Sequence, residues 1–237
     1  MLRIMLLSML AFVQPANAHI NWEVEFDPSY TADLEPFAPK GLKSAYLSSV
    51  IVQPSVDGVL QGTGSGNYFR LGRHRFILTA SHVVEGSDEI WIMEKGYQMS
   101  LGKVIYNDPN ADIAVIIPNE RLKYTKAMFF RRDINNQMGE KVYHCGHPAR
   151  EAWHISEGLL SGTYTDTLLL NTFAWPGTSG SVVFDESGRV LGIISAVRID
   201  GPFQFPQMVE HIVLASNIKM LDQQTLKVLL ENERQKI

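Results

Sequence analysis

Gly177-Thr178-Ser179-Gly180-Ser181 decides how this 237-residue chain is read, because two other short segments precede it in a telling order. Leu78-Thr79-Ala80-Ser81-His82 closes one apolar run, and Ala111-Asp112-Ile113-Ala114-Val115 opens another. A histidine, an aspartate and a serine thus follow one another 30 and then 67 residues apart, each at the edge of a strand-like stretch. A serine hydroxyl is a poor nucleophile near neutral pH until an imidazole takes its proton, and a buried carboxylate fixes which imidazole nitrogen is free to do so. Taken singly, His82 reads as a boundary residue and Asp112 as a turn or cap residue. As a set, the three point to nucleophilic catalysis of a hydrolysis.

Outward from these segments, β signals dominate until the last thirty residues. Strand-like runs lie at 46–52, 66–70, 75–79, 89–93, 98–106 and 113–117, and a second series at 141–145, 152–160, 167–173, 181–184, 190–197 and 208–214. Turn residues separate them, notably Asp185-Glu186-Ser187-Gly188. Two groups of about six strands predict an all-β fold of two antiparallel six-stranded β-barrels. The first barrel is expected at about 46–117, a linker at about 118–139 and the second barrel at about 140–215. Ser216 reads as an N-cap, and Ile218, Leu221, Thr225, Leu226 and Leu229 form a helical stripe, so a C-terminal helix at about 216–235 is expected to pack on the second barrel.

The start of the chain has a different character. Arg3 gives a weak positive beginning, residues 4–13 are apolar, and Ala16-Asn17-Ala18 has the small-x-small pattern of a signal-peptidase site. Residues 1–18 are therefore expected to be a signal peptide, since the apolar run is too short to span a bilayer comfortably. Residues 19–45 form a polar, proline-containing lead. The product is expected to be secreted or periplasmic, with no stable membrane insertion after signal removal. Losing Arg3 takes the net charge from −4 to −5, and with no basic cluster the composition argues against a nucleic-acid partner. Cys145 is the single cysteine, so core packing and not an intrachain disulfide must hold the fold. His144 and His147 beside it do not offer clear zinc spacing with further ligands. Cys145 is read as a packed strand residue and its two neighbours as loop histidines; no metal and no organic cofactor are expected.

With these residues assembled, the chain resembles the trypsin-like (chymotrypsin-fold) serine peptidases, closest to the disulfide-poor bacterial branch that includes the HtrA/Deg and glutamyl-endopeptidase groups. The likeness rests on Phe76-Ile77-Leu78-Thr79-Ala80-Ser81-His82-Val83-Val84, Asp112-Ile113-Ala114-Val115, Gly177-Thr178-Ser179-Gly180-Ser181, Val190-Leu191-Gly192-Ile193-Ile194-Ser195 and Gly146-His147-Pro148. It implies a serine endopeptidase acting on polypeptide substrates through an acyl-enzyme. His82 would be general base and acid, Asp112 would orient it, and Ser179 would be the nucleophile. The backbone N–H groups of Gly177 and Ser179 would form the oxyanion hole. Two departures stand out. Thr178 replaces the aspartate by which the animal digestive enzymes pair with a freshly cut N-terminus, so activation by that route is not expected. Ser181 replaces the second glycine of the usual pentapeptide.

The resemblance also places substrate-binding residues. Phe173, six residues before the nucleophile, falls where the family has its pocket floor, and the absence of a carboxylate there disfavours cleavage after Lys or Arg. Ser195 matches the serine that supports the triad aspartate. Ala196 and Val197 fall on the strand expected to bind substrate as an added strand. A branched Val197 narrows the pocket entrance and favours small or medium aliphatic residues before the cut, while His211 offers a route to acidic specificity. Two rival readings stand beside this one. An α/β-hydrolase needs its acid and histidine after the serine and helices between parallel strands; here His211 is the only histidine after Ser179, and the strands follow one another without intervening helices. A catalytically inactive binding or structural member of the trypsin-like fold is the other.

Overall fold

A computed structural model describes residues 4–6, 34–200 and 207–234. Apart from 4–6, the expected signal peptide lies outside the described residues, as do 19–33 of the lead.

Twelve strands close into two six-stranded antiparallel barrels. The first contains β2 (Ser49–Val56), β4 (Gly64–Leu71), β5 (His74–Thr79), β6 (Glu89–Met93), β7 (Met99–Asp108) and β8 (Ile113–Pro118). Its order β2-β6-β7-β8-β5-β4 is closed by β4 pairing back onto β2, with Ser65 opposite Ile51. The second contains β10 (Lys141–Gly146), β11 (His154–Thr163), β12 (Thr167–Asn171), β13 (Val182–Asp185), β14 (Val190–Asp200) and β15 (Gln207–Asn217). Its order β14-β13-β10-β11-β12-β15 closes through β14 and β15. Closure pairs each barrel strand with two neighbours, and the 196–198 stretch of β14 beyond its β13 pairing remains as an edge. Three short strands sit outside the rings: β3 (Val59–Leu60) on β2, β9 (Met128–Phe129) on β4, and β1 (Ile4–Leu6) on β14.

The cores follow from side-chain alternation. On β13, Val183 joins Val142, Leu160, Leu168, Leu170, Leu191 and Ile194 inside the second barrel. Its neighbours Val182 and Phe184 join the larger core that fills the first barrel and continues across the seam. There the Phe184 ring lies 5.9 Å from Phe69, which in turn meets Phe130 edge-on at 5.5 Å.

Among the described residues, three α-helices flank the barrels: α1 (Lys40–Ser48), α2 (Ser81–Val84) and α3 (Gln223–Arg234). The sequence reading placed a strand from residue 46; the chain is helical to Ser48 and extended only from Ser49. The buried stripe of α1 is Gly41, Ser44, Ala45 and Ser48, small residues that let the helix lie against β13. A Cβ on Gly41 would stand 2.0 Å from the Asp185 carbonyl oxygen. The C-terminal helix also docks differently from expectation. Leu226 and Leu230 enter the larger core, and Lys103 of β7 pairs with Glu233 at 2.5 Å, so α3 reaches back to the first barrel.

Candidate active site

His82 sits in the first turn after β5, where the chain turns from strand into α2. Asp112 precedes β8, at the end of a turn built by Asp108, whose Oδ1 accepts the N–H groups of Asn110 at 3.0 Å and Ala111 at 3.2 Å. That turn leaves Asp112 at φ +51°, a left-handed conformation that aspartate tolerates better than most residues. Its carboxylate then faces His82 directly. Oδ1 accepts the His82 backbone N–H at 2.9 Å, and Nδ1 lies 3.0 Å from Oδ1 and 2.9 Å from Oδ2. The register of β14 against β15 shifts between Ile194 and Ala196. Ser195 sits at that irregularity, and its hydroxyl donates to Asp112 Oδ2.

Burial pushes the Asp112 carboxyl up, but the His82 ring, its charge, the Ser195 hydroxyl and the His82 N–H together hold it below the ordinary aspartate value. An ionised carboxylate can only accept, so Nδ1 carries a proton toward it, and in the neutral form of the ring the lone pair is then on Nε2. His82 Nε2 is buried and has no hydrogen-bond partner among the described residues, and the same is true of Ser179 Oγ. The arrangement therefore joins His82, Asp112 and Ser195 by hydrogen bonds and leaves His82 Nε2 and the Ser179 hydroxyl without partners among the described residues.

Ser179 lies in the loop from β12 to β13, where every carbonyl from 175 to 179 is tied. Trp175 O accepts from Thr178 N at 2.9 Å and from the Thr178 hydroxyl, while Pro176 O accepts from Ala149 N at 2.9 Å. Gly177 O accepts from the Ser65 hydroxyl at 2.7 Å, Thr178 O from Ser181 N at 3.0 Å and Ser179 O from Ser65 N at 2.7 Å. The donors are equally accounted for. Trp175 N reaches Thr178 Oγ1 at 2.8 Å, and Gly180 N reaches Ile194 O at 2.8 Å. Proline has no N–H, so within 175–181 the N–H groups of Gly177 and Ser179 alone lack a partner among the described residues. In a trans peptide the N–H points opposite to the preceding C=O. Pro176 O is turned toward Ala149, so Gly177 N–H points the other way.

Ser181 is accommodated without disturbing these bonds. Its carbonyl accepts Ile194 N at 2.8 Å, and its side chain packs against Gly146, where an added Cβ would stand 2.5 Å from Ser181 Oγ and 2.4 Å from the Thr178 methyl.

The remaining expected residues are less uniform. Ala196 and Val197 are buried on β14, whose edge pairs antiparallel with residues 4–6: Leu6 lies opposite Ala196 and Met5 opposite Val197. Phe173 is 42% exposed, with its ring 5.3 Å from that of His154, and Trp175 beside it is 44% exposed. The 173–175 segment is thus an open aromatic wall. His211 is exposed on β15 at φ +61°.

Two histidines read as loop residues are in fact buried. His144 lies within β10 at 0% exposure, its Nε2 3.3 Å from Thr172 Oγ1. His147 accepts Trp153 N–H on Nδ1 at 3.0 Å and meets Ser49 Oγ through Nε2 at 3.1 Å. Burial pushes the Cys145 thiol up to about 12, so it stays protonated and unreactive. The residue missed altogether is Ser65, which bonds to both ends of the Gly177–Ser179 segment from the opposite barrel. Gly64-Ser65-Gly66, small residues in a row inside a strand, was the available signal for a close backbone approach.

A family model described as a trypsin-like peptidase domain matches residues 64–193. The chain belongs to the trypsin-like peptidase family. Among curated relatives, a probable periplasmic serine endoprotease DegP-like from Rhizobium meliloti is 28% identical over 181 residues, covering 70% of this chain and 36% of the relative. A protein of the same description from Bartonella henselae is 27% identical over 141 residues, covering 56% of this chain and 28% of its own length. The chain thus spans about a third of those relatives. Among solved structures, the HtrA-type protease AlgW with tripeptide superposes at a TM-score of 0.65 with 20% identity, covering 82% of this chain and 64% of that one. The serine endoprotease from Yersinia pestis gives 0.62 at 20% identity, covering 82% and 66%. These two likenesses concern the fold.

Proposed function

We propose that this trypsin-like peptidase is an exported serine endopeptidase that cleaves polypeptides through an acyl-enzyme on Ser179. One observation carries the reading: the loop around Ser179 commits each carbonyl from 175 to 179, and within 175–181 the Gly177 and Ser179 N–H groups alone lack a partner among the described residues. Two such donors in a half-buried loop are suited to a charge that develops during reaction.

Substrate adds as an extended strand to the edge of β14 at Ala196 and Val197, the edge that also takes residues 4–6. Ser179 Oγ attacks the scissile carbonyl carbon, and His82 Nε2 takes the hydroxyl proton. The carbonyl oxygen becomes an oxyanion held by Gly177 N–H and Ser179 N–H. Asp112, supported by Ser195, stabilises the imidazolium that forms. Collapse breaks the C–N bond, and His82 returns its proton to the departing amine. Water, deprotonated by His82, then attacks the ester, and the second collapse releases the new carboxyl terminus and restores Ser179. Val197 limits the side chain before the cut to small or medium aliphatic residues; strong cleavage of a positional peptide library after Arg, Glu or Tyr would refute this part. Export is supported by the pattern of residues 1–18 and by the word periplasmic in the names of the relatives.

The deciding experiment labels the protein lacking residues 1–18 with a fluorophosphonate, beside Ser179→Ala. Labelling and casein hydrolysis that both vanish in the variant are expected. Labelling that survives Ser179→Ala overturns the choice of Ser179 and moves the nucleophile to another residue, whereas a folded protein that neither labels nor hydrolyses casein overturns the enzyme reading and favours a binding member of the fold.

A further inference from the structure

We propose that Ser65, which bonds to none of His82, Asp112 and the Ser179 hydroxyl, is a positioning residue that fixes the oxyanion pocket from across the cleft. The proposal rests on the reading of Ser179 as nucleophile. Ser65 belongs to β4, is fully buried, and is anchored in the first barrel by its place opposite Ile51 and by the Thr79 hydroxyl, which donates to its carbonyl at 2.7 Å. Its other groups all point into the second barrel. The N–H donates to Ser179 O at 2.7 Å, the hydroxyl donates to Gly177 O at 2.7 Å, and the same hydroxyl accepts His147 N–H at 3.1 Å.

The geometric consequence concerns Gly177. The peptide before it is set by Pro176 O on Ala149 N at 2.9 Å, and the peptide after it by Gly177 O on Ser65 Oγ. Those two planes define the backbone torsions of Gly177, and with them the direction of its N–H. At φ +105° Gly177 lies where a side chain would strain, and an added Cβ would stand 2.3 Å from His147 O. A glycine has no side chain to hold that conformation, so the carbonyl anchors must do it. The hydroxyl also ties His147 N–H to the same oxygen that holds Gly177, joining the loop at 147–149 to the loop at 175–179 through one atom. Without the hydroxyl, Gly177 O and His147 N–H both lose their partner, while Ser179 O keeps its bond to the Ser65 N–H. The consequence falls on the group that meets the oxyanion and not on the β14 edge that meets the substrate backbone.

The test uses Ser65→Ala, which retains the backbone N–H. Wild type and variant are titrated with a fluorophosphonate, and kcat and KM are measured per titrated site for a peptide ester and its thionoester. Sulfur is a poorer hydrogen-bond acceptor than oxygen, so the ester-to-thionoester ratio reports the pocket independently of how much protein is folded. Expected is a fall in kcat of roughly ten- to a hundredfold with KM nearly unchanged, and an ester-to-thionoester ratio reduced by a similar factor. A ratio and kcat per site within about twofold of wild type, whatever the melting temperature, overturns the proposal. Should Ser65→Ala fail to fold, Ser65→Cys, which keeps the volume with a weaker donor, is judged by the same two criteria. A wild type that neither labels nor turns over is a different failure: it removes the nucleophile reading itself, and this proposal with it.

Discussion

Asp112 grips His82 at two points, accepting the backbone N–H on Oδ1 at 2.9 Å while facing ring Nδ1 at 2.9 and 3.0 Å. The double attachment fixes both where the helical turn begins and which ring nitrogen carries the proton. Asp112→Asn keeps the shape but offers an amide in place of an acceptor-only group, so the ring can settle with its proton on Nε2. We expect kcat to fall on the order of 10⁴-fold, the loss that the wrong tautomer produces in Ser-His-Asp enzymes. Hydrolysis of a peptide ester and near-ultraviolet circular dichroism, measured together, check that the loss is chemical and not a loss of fold.

Ser195 offers a graded version of the same experiment. Its hydroxyl is one of the groups that hold the Asp112 carboxyl below its ordinary value, alongside the His82 ring and N–H. Hydrogen bonds to charged groups contribute about 1.5–3 kcal/mol, so Ser195→Ala is expected to reduce kcat by roughly ten- to a hundredfold, well short of the Asp112→Asn effect. Because Ser195 lies beside Ala196 and Val197 on β14, KM is the control: a rise in KM with unchanged kcat would show that Ser195 serves substrate binding instead.

Three of the candidate residues can be picked out from sequence because their signals are local. His82, Asp112 and Ser179 each stand in a pentapeptide whose apolar neighbours announce the strand, and the strand count fixes two barrels. What escaped is long-range or made of small residues. The stripe Gly41, Ser44, Ala45 and Ser48 has no hydrophobic periodicity, so α1 was read partly as strand although its close approach to β13 requires those residues. Nothing in one dimension says that Ser65 meets Gly177, 112 residues away. His144 and His147 lie next to a turn signal, Gly146 and Pro148, and polar residues there read as loop. Their burial depends on the walls that β2, β11 and the 172–175 segment place around them.

Glycine substitutions separate close approach from torsion. Gly180 and Gly72 both have positive φ, +88° and +59°. A Cβ at Gly180 would stand 2.1 Å from Ser65 O and 2.3 Å from Thr79 Oγ1, whereas nothing lies within 4 Å of one at Gly72. Gly72→Ala is therefore expected to cost about 1 kcal/mol, the left-handed penalty alone, and to leave activity unchanged. Gly180→Ala adds overpacking against backbone that cannot move aside, and a loss of about 3 kcal/mol or more is expected together with loss of fluorophosphonate labelling. Urea unfolding of the two variants decides the point. Equal losses would mean that the Ser65–Gly180 approach relaxes freely.

Acid should unfold this protein through its two buried histidines. Burial pushes His144 down to about 4 and His147 down to about 3, the latter helped by the nearby Lys95 charge. An unfolded histidine titrates near 6.5, so below that pH the unfolded chain binds protons that the folded chain does not. Stability then falls as pH drops from about 6.5 toward the two folded values, and flattens only beneath them. Each histidine contributes a slope of up to about 1.4 kcal/mol per pH unit, or roughly 2 kcal/mol apiece by about pH 5. Asp112 acts in the same direction but lower, because its depressed carboxyl withdraws stability only as pH falls below the ordinary aspartate range. Urea midpoints between about pH 7 and 5 should therefore fall steeply in wild type and about half as steeply in His147→Gln, which has no ring to protonate. An unchanged slope in that variant would mean that His147 takes up its proton without unfolding, with Trp153 N–H giving up its bond to Nδ1 to let it do so.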